Sequence, residues 1–104
     1  MKAMGIIEKI IPHYGWRHQM MKCMEECAEL IQAISKYLDD PHDETRTHVV
    51  EEIADVEFML EQLKHQYILD VTPKEITDVK AVKMYKVMTE MVDGESNVRD
   101  CRGG

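Results

Sequence analysis

The sequence predicts an all-α protein, a short helical-bundle subunit whose core is completed by homo-oligomerisation. Three observations carry this expectation. Apolar residues recur at intervals of three and four through long stretches. Helix-start and helix-stop residues punctuate those stretches. No segment alternates with period two, and there is no repeat or low-complexity tract.

In chain order, GIIEKII (5–11) reads as a short helix, broken by Pro12 and Gly15. From about Trp16 to Asp39, Met20, Met24, Cys27, Ile31, Ile34 and Leu38 form a helical stripe, widened sideways by Cys23, Leu30 and Tyr37. Asp39-Asp40-Pro41 ends this run, because a residue before proline avoids helical angles. A second long helix is expected from about Asp43 to Tyr67, with Asp43 or Thr45 as its N-cap. Its stripe is Val49, Ile53, Val56, Leu60, Leu63 and Tyr67. Thr72-Pro73-Lys74-Glu75 combines a capping box with proline at the first helical position, and so opens a third long helix. That helix reaches about Val92, and Gly94 suits its stop. Residues 1–93 read as one domain and 94–104 as a polar tail.

The totals narrow the function. The chain has 104 residues, room for one domain with a modest core. Acids outnumber bases 20 to 13, a formal charge of −7, and the bases are scattered. This argues against direct nucleic-acid binding, which favours a dense basic patch. Three cysteines without a C-x-x-C pair fit a reducing compartment better than a disulfide framework. No segment resembles a signal peptide or a membrane span, so the expected location is cytoplasmic. Each long helix carries more apolar surface than a small monomer can bury, which predicts a homo-oligomer, dimer or tetramer.

Certain acids are placed against this pattern. At about 100° per residue, Glu52 lies about 40° from Val56, with Met59 and Leu63 about 20° to either side. It belongs to the apolar side, whereas Glu51 and Glu57 face outward. Asp55 follows at i+3, at the edge of the stripe. The preceding helix repeats the arrangement: Glu26 borders Cys23 and Leu30, Glu29 is its i+3 neighbour, and Glu25 points outward. Residues three apart are neighbours on a helix surface. Antiparallel packing of the two helices brings the four acids together. A buried unpaired carboxylate is costly unless it takes up a proton or a cation. Mg²⁺ prefers carboxylate oxygens and keeps coordination sites for phosphates. Acidic i, i+3 pairs are also common on solvated faces, so spacing alone does not make these residues a site.

The residues HQMMKCMEECAELIQAISKYL and VVEEIADVEFMLEQLK resemble the two motif helices of the MazG-like, all-α nucleoside triphosphate pyrophosphohydrolases, with their E-x-x-E…E-x-x-D signature. The resemblance covers roughly 14–92. It implies Mg²⁺-dependent hydrolysis of a nucleoside or deoxynucleoside triphosphate to monophosphate and pyrophosphate, in a dimer or larger oligomer. It places the metal on Glu26, Glu29, Glu52 and Asp55; in a metal-assisted hydrolysis, Glu29 or Glu52 is then the expected general base. It implies phosphate contacts from Lys83 and Lys86, and substrate contacts from Gln19 and Lys22. The chain departs from the family where an arginine or nearby asparagine is frequent: it has lysine there, and its only asparagine is Asn97.

Other readings compete. Lys80, Lys83 and Lys86 also fit a plain solvated face, and Gln19 and Lys22 also read as plain surface residues. Trp16 and His18 can stack on a base, although a buried anchoring role suits Trp16 better. Cys23 and Cys27, with His13 or His18, offer a zinc set, against the simpler reading of cysteine as a small buried hydrophobe. His42, His48 and His65 lack the E-x-x-H spacing of a di-iron bundle, and no Gly-rich phosphate loop is present. The alternatives to the housecleaning hydrolase are a phosphoribosyl-ATP pyrophosphatase and a non-catalytic helical dimer serving as adaptor or regulator.

Overall fold

The computed structural model describes residues 3–95, with side chains for 5–94. These residues form four helices: α1 (Ala3–Tyr14), α2 (Trp16–Asp39), α3 (Asp43–Lys64) and α4 (Pro73–Glu95). No strand occurs among the described residues. None of the helices is long and apolar enough to cross a membrane. The chain divides into two compact units, 1–71 and 72–104. The domain expected from the sequence spans that boundary. Asn97, Cys101 and all but the first two residues of the expected tail lie outside the described residues.

In the first unit, α2 and α3 form an antiparallel hairpin. Gln19 meets Gln62 at one end, and Glu26 meets Glu52 and Asp55 further along. The connection is short because Asp40-Pro41 stops α2 and His42 starts α3 at once. His42, rather than Asp43 or Thr45, is the N-cap. Thr45 completes the cap from the third position: its Oγ1 accepts the His42 N–H at 3.1 Å and donates to the Asp40 carbonyl at 2.9 Å.

Pro12 does not end α1 but sits in its last turn, where the missing N–H forfeits a single bond. Gly15 makes the break. Its φ of +95° is open to glycine and strained for other residues. Its N–H still reaches the Ile11 carbonyl at 2.7 Å, and its carbonyl accepts the Gln19 N–H that begins α2. α1 buries Ile7 and Ile11.

α3 ends at Lys64, three residues before the expected Tyr67. The chain folds back so that the Leu69 and Val71 N–H groups take the Leu63 and Lys64 carbonyls at 3.1 and 3.0 Å. Asp70 adopts a left-handed φ of 52° within this turn. The helix-end carbonyls are thus satisfied by residues well beyond them, and no glycine or proline marks the stop.

The second unit is helical from the start predicted. Thr72 N–H donates to Glu75 Oε2 at 3.0 Å, and Glu75 N–H donates to Thr72 Oγ1 at 3.2 Å, closing the capping box. α4 runs through Gly94 to Glu95, so Gly94 does not stop it.

The buried face of α2 differs from the one expected. Gln19, Cys23, Glu26 and Ala33 are buried. Met24, Ile31 and Leu38, from the predicted stripe, are 71, 68 and 75% exposed. Periodicity marks the most apolar face of α2, whereas the hairpin seam runs along the edge of that face at Cys23 and onto its polar flank at Gln19 and Glu26. On α3 the buried set is Glu52, Val56, Met59 and Gln62, while Ile53 and Leu60 stay exposed.

Candidate functional site

The acids that broke the apolar pattern lie in the seam of the α2–α3 hairpin. Glu26 and Glu52 are buried, at 9 and 7% exposure. Asp55, one turn beyond Glu52, is exposed at the seam's edge. Glu26, Glu52 and Asp55 each present a carboxylate oxygen within 4.8 Å of the other two. Glu29 is exposed and outside this set. Its charge still bears on Glu52, so it stands at the rim of the same cluster. Glu25, Glu51 and Glu57 face solvent, as the helical spacing predicted.

The two buried acids are incompletely paired. Lys22 Nζ lies 3.4 Å from Glu26 Oε2 and 3.6 Å from Glu25. His48 Nδ1 lies 4.0 Å from Glu52 Oε2 and 3.6 Å from Glu51. Glu26 Oε1 and Glu52 Oε1 are buried and have no hydrogen-bond partner among the described residues. Loss of water raises the Glu52 pKa above its ordinary 4.5, and Glu29, Asp55 and Glu26 raise it further against the opposing pull of His48. The bond to Glu26 holds the Lys22 ammonium above its usual 10.5.

Such a donor set suits a hard divalent cation. Three carboxylates converge, two of their oxygens are orphaned in the protein interior, and the cluster opens at Asp55. Mg²⁺ accepts one or two carboxylates and keeps its remaining positions for water and phosphate oxygens. Among the described residues no other group of three histidines, cysteines or acids converges in this way. Cys23 and Cys27 with His13 or His18 therefore make no zinc set. Burial, followed by the proximity of Cys27 and Glu26, pushes the Cys23 thiol up in pKa and keeps it protonated.

Beside the acids a cleft of about 500 Å³ opens between α1, α2 and α3. Lys22, Glu25, Glu26 and Asp55 line one part of it. Ile10, Tyr14, His18, Gln19, Met21, Phe58, Met59 and Gln62 line the rest. Gln19 is buried and donates from Nε2 to Gln62 Oε1 at 2.9 Å. Trp16 is not the buried anchor expected. It is 48% exposed, carries the Arg17 guanidinium 5.1 Å above its ring, and borders a separate hollow with Ile11, Pro12, Gly15 and Tyr67. Lys80, Lys83 and Lys86 are exposed on α4, in the second unit.

The sequence pattern set His48 aside as a di-iron ligand without pairing it to Glu52, and it left Gln62 unmarked. The i, i+4 relation of His48 to Glu52 was readable. Gln62, a polar residue next to Leu63 on the stripe side of α3, was the same kind of misplaced residue as Glu52. Tyr14 and Phe58 gave no such sign, because only the tertiary fold brings them to the cleft. No family model matches the chain, and neither a curated protein nor a solved structure is found similar to it.

Proposed function

We propose that this chain is a Mg²⁺-dependent pyrophosphohydrolase of the MazG-like kind, cleaving a nucleoside or deoxynucleoside triphosphate to the monophosphate and pyrophosphate. The observation that carries this reading is the pair of buried, unpartnered oxygens of Glu26 and Glu52, converging with Asp55 beside an open cleft. Charges so placed are expensive to a protein that has no cation for them.

Glu26, Glu52 and Asp55 hold the metal, with Glu29 joining from the rim. When bound, the ion lowers the pKa of water and offsets phosphate charge. Glu29 or Glu52 takes the proton of the water that attacks the α-phosphorus. Lys22, already in the cleft, turns from Glu26 to phosphate. Gln19 contributes to the substrate wall of the cleft.

The reading includes a homo-oligomer. The exposed Met24, Ile31 and Leu38 of α2 form an apolar stripe facing away from the hairpin seam, and a second copy covers it. Sedimentation at micromolar concentration should give a dimer or tetramer, and a monomer would remove this part of the proposal.

The decisive test is a panel of nucleoside and deoxynucleoside triphosphates, with phosphoribosyl-ATP included, incubated with Mg²⁺ and assayed for pyrophosphate. Turnover should vanish with EDTA. If no compound is hydrolysed and Mg²⁺ leaves the melting temperature unchanged, the helical adaptor becomes the better account of the exposed apolar faces.

A further inference from the structure

The cleft has a second polar feature besides the acids. His18 Nδ1 lies 2.7 Å from Gln19 Oε1, Gln19 Nε2 lies 2.9 Å from Gln62 Oε1, and Gln62 Nε2 lies 3.5 Å from Met59 Sδ. The direction of this chain is set at its inner end. A thioether sulfur accepts and never donates, so the Gln62 amide turns its nitrogen to Met59 and its oxygen to Gln19. Gln19 must then donate to Gln62, and its own oxygen is left facing His18. That oxygen requires a proton on His18 Nδ1. Neutral His18 is therefore held as the Nδ1–H tautomer, with the lone pair on Nε2.

His18 is exposed, yet it is fixed twice. The relay sets its tautomer and rotation. Tyr14 stacks on its ring with centroids 5.2 Å apart and planes 15° apart. Among the described residues Gln62 is the most deeply buried large side chain, at 1% exposure, and Gln19 is at 4%. Apolar residues of the same shape hold such a seam about as well as an amide pair does. Its product is a rigid acceptor at the wall of a cleft that also reaches Glu26 and Asp55. Pre-organisation of this kind lowers the entropic cost of binding.

We infer that His18, oriented by the Gln19–Gln62–Met59 relay and by Tyr14, accepts a hydrogen bond at Nε2 from a ring N–H or amino group of the nucleobase, making this end of the cleft the base subsite. The inference rests on the proposed triphosphate reading for the identity of the ring, and it assigns specificity to a residue remote from the metal. His18 acts on the substrate directly, while Gln62 acts as a positioning residue through Gln19.

The test avoids phosphate and metal, so its outcome is separable from that of the hydrolysis assay. The full chain, with ¹⁵N-labelled imidazoles and in EDTA, is titrated with millimolar cytidine, uridine, adenosine and guanosine at a pH where His18 is neutral. Before ligand, the NMR spectrum should show His18 as the Nδ1–H tautomer. At least one nucleoside should then shift the Nε2 signal as a new hydrogen bond does. Gln62→Met keeps the volume but cuts the relay; it should return His18 to a tautomer mixture and weaken that nucleoside about fivefold, the worth of one hydrogen bond. His18→Phe keeps a ring against Tyr14 and should weaken it equally. An Nε2–H tautomer in the free protein, no nucleoside-induced shift at His18, or unchanged affinity in the His18→Phe protein would each overturn the inference. Binding that persists in a protein without triphosphatase activity would keep the subsite and remove the hydrolase.

Discussion

Two stretches of the α2–α3 seam, one at its open end and one near its middle, bury polar residues in opposite ways. In the first, Gln19 and Gln62 are neutral and answer each other, and their chain of bonds closes on Met59 and His18. In the second, Glu26 and Glu52 are acidic, and each keeps a buried oxygen with no partner among the described residues. The glutamine end is complete within the chain and serves to fix geometry. The glutamate end leaves two buried acceptor oxygens open, which a proton or a cation can fill.

The largest expected effect breaks the glutamate end. On the proposed reading, Glu52→Ala should lower triphosphate turnover by about 10³-fold or more, because the change removes a proposed metal ligand and a candidate base together. Circular dichroism should still report a helical protein, since the change removes an uncompensated charge from the seam. Asp55→Ala should behave alike. Full activity in the Asp55→Ala enzyme would place the chemistry elsewhere.

The next effect breaks the glutamine end, and its readout is stability. Gln62→Ala should cost about 3 kcal/mol, from the cavity and from the Gln19 amide left unpaired in the interior. Thermal melting should show a fall on the order of 15 °C. Replacing both residues by leucine should cost under about 1 kcal/mol, because no polar group is then stranded. Equal losses in the single and double variants would mean that the bond does not matter to the seam.

A third experiment sharpens the contrast through pH. The folded-state pKa of Glu52 is raised, so between 4.5 and that higher value the folded protein holds a proton that the unfolded chain has released. This contribution is complete below 4.5 and is lost as pH climbs through the folded value. Metal-free protein should therefore melt at a lower temperature as pH rises across that window, and Glu52→Gln should flatten the slope. On the proposed reading Mg²⁺ competes with the proton at Glu52, so its gain in melting temperature should grow over the same rise. A metal gain independent of pH would separate the cation from Glu52.

The smallest effect concerns the corner that turns α1 toward the glutamine end. Gly15→Ala meets no atom within 4 Å, so its cost is conformational alone: about 1–2 kcal/mol for a non-glycine residue at φ +95°. Urea unfolding should register it. A neutral result would mean that the turn relaxes to another geometry.

Much of this was legible in advance. Helical spacing, the Thr72–Glu75 box and the Asp40-Pro41 stop were enough for an all-α chain and for the ends of α2. The position of Glu52 among Val56, Met59 and Leu63 was likewise enough to mark a carboxylate drawn inward, because the angle between residues on a helix is a property of the backbone alone. The end of α3 was not legible: its last carbonyls are satisfied by Leu69 and Val71, residues that carry no stop signal in their own type.

The sequence by itself determined that there are helices, and that some of their acids lie on the wrong side of them. The tertiary fold decided the rest. Packing of α2 against α3 buries the face with Gln19, Cys23, Glu26 and Ala33 and leaves the more apolar face with Met24, Ile31 and Leu38 exposed. That choice brings Glu26 to Glu52 and Asp55, holds Glu29 at the rim, and ties Gln19 to Gln62. A helix fixes angles among its own residues, but the partner it buries against is set only when the whole chain satisfies its surfaces together.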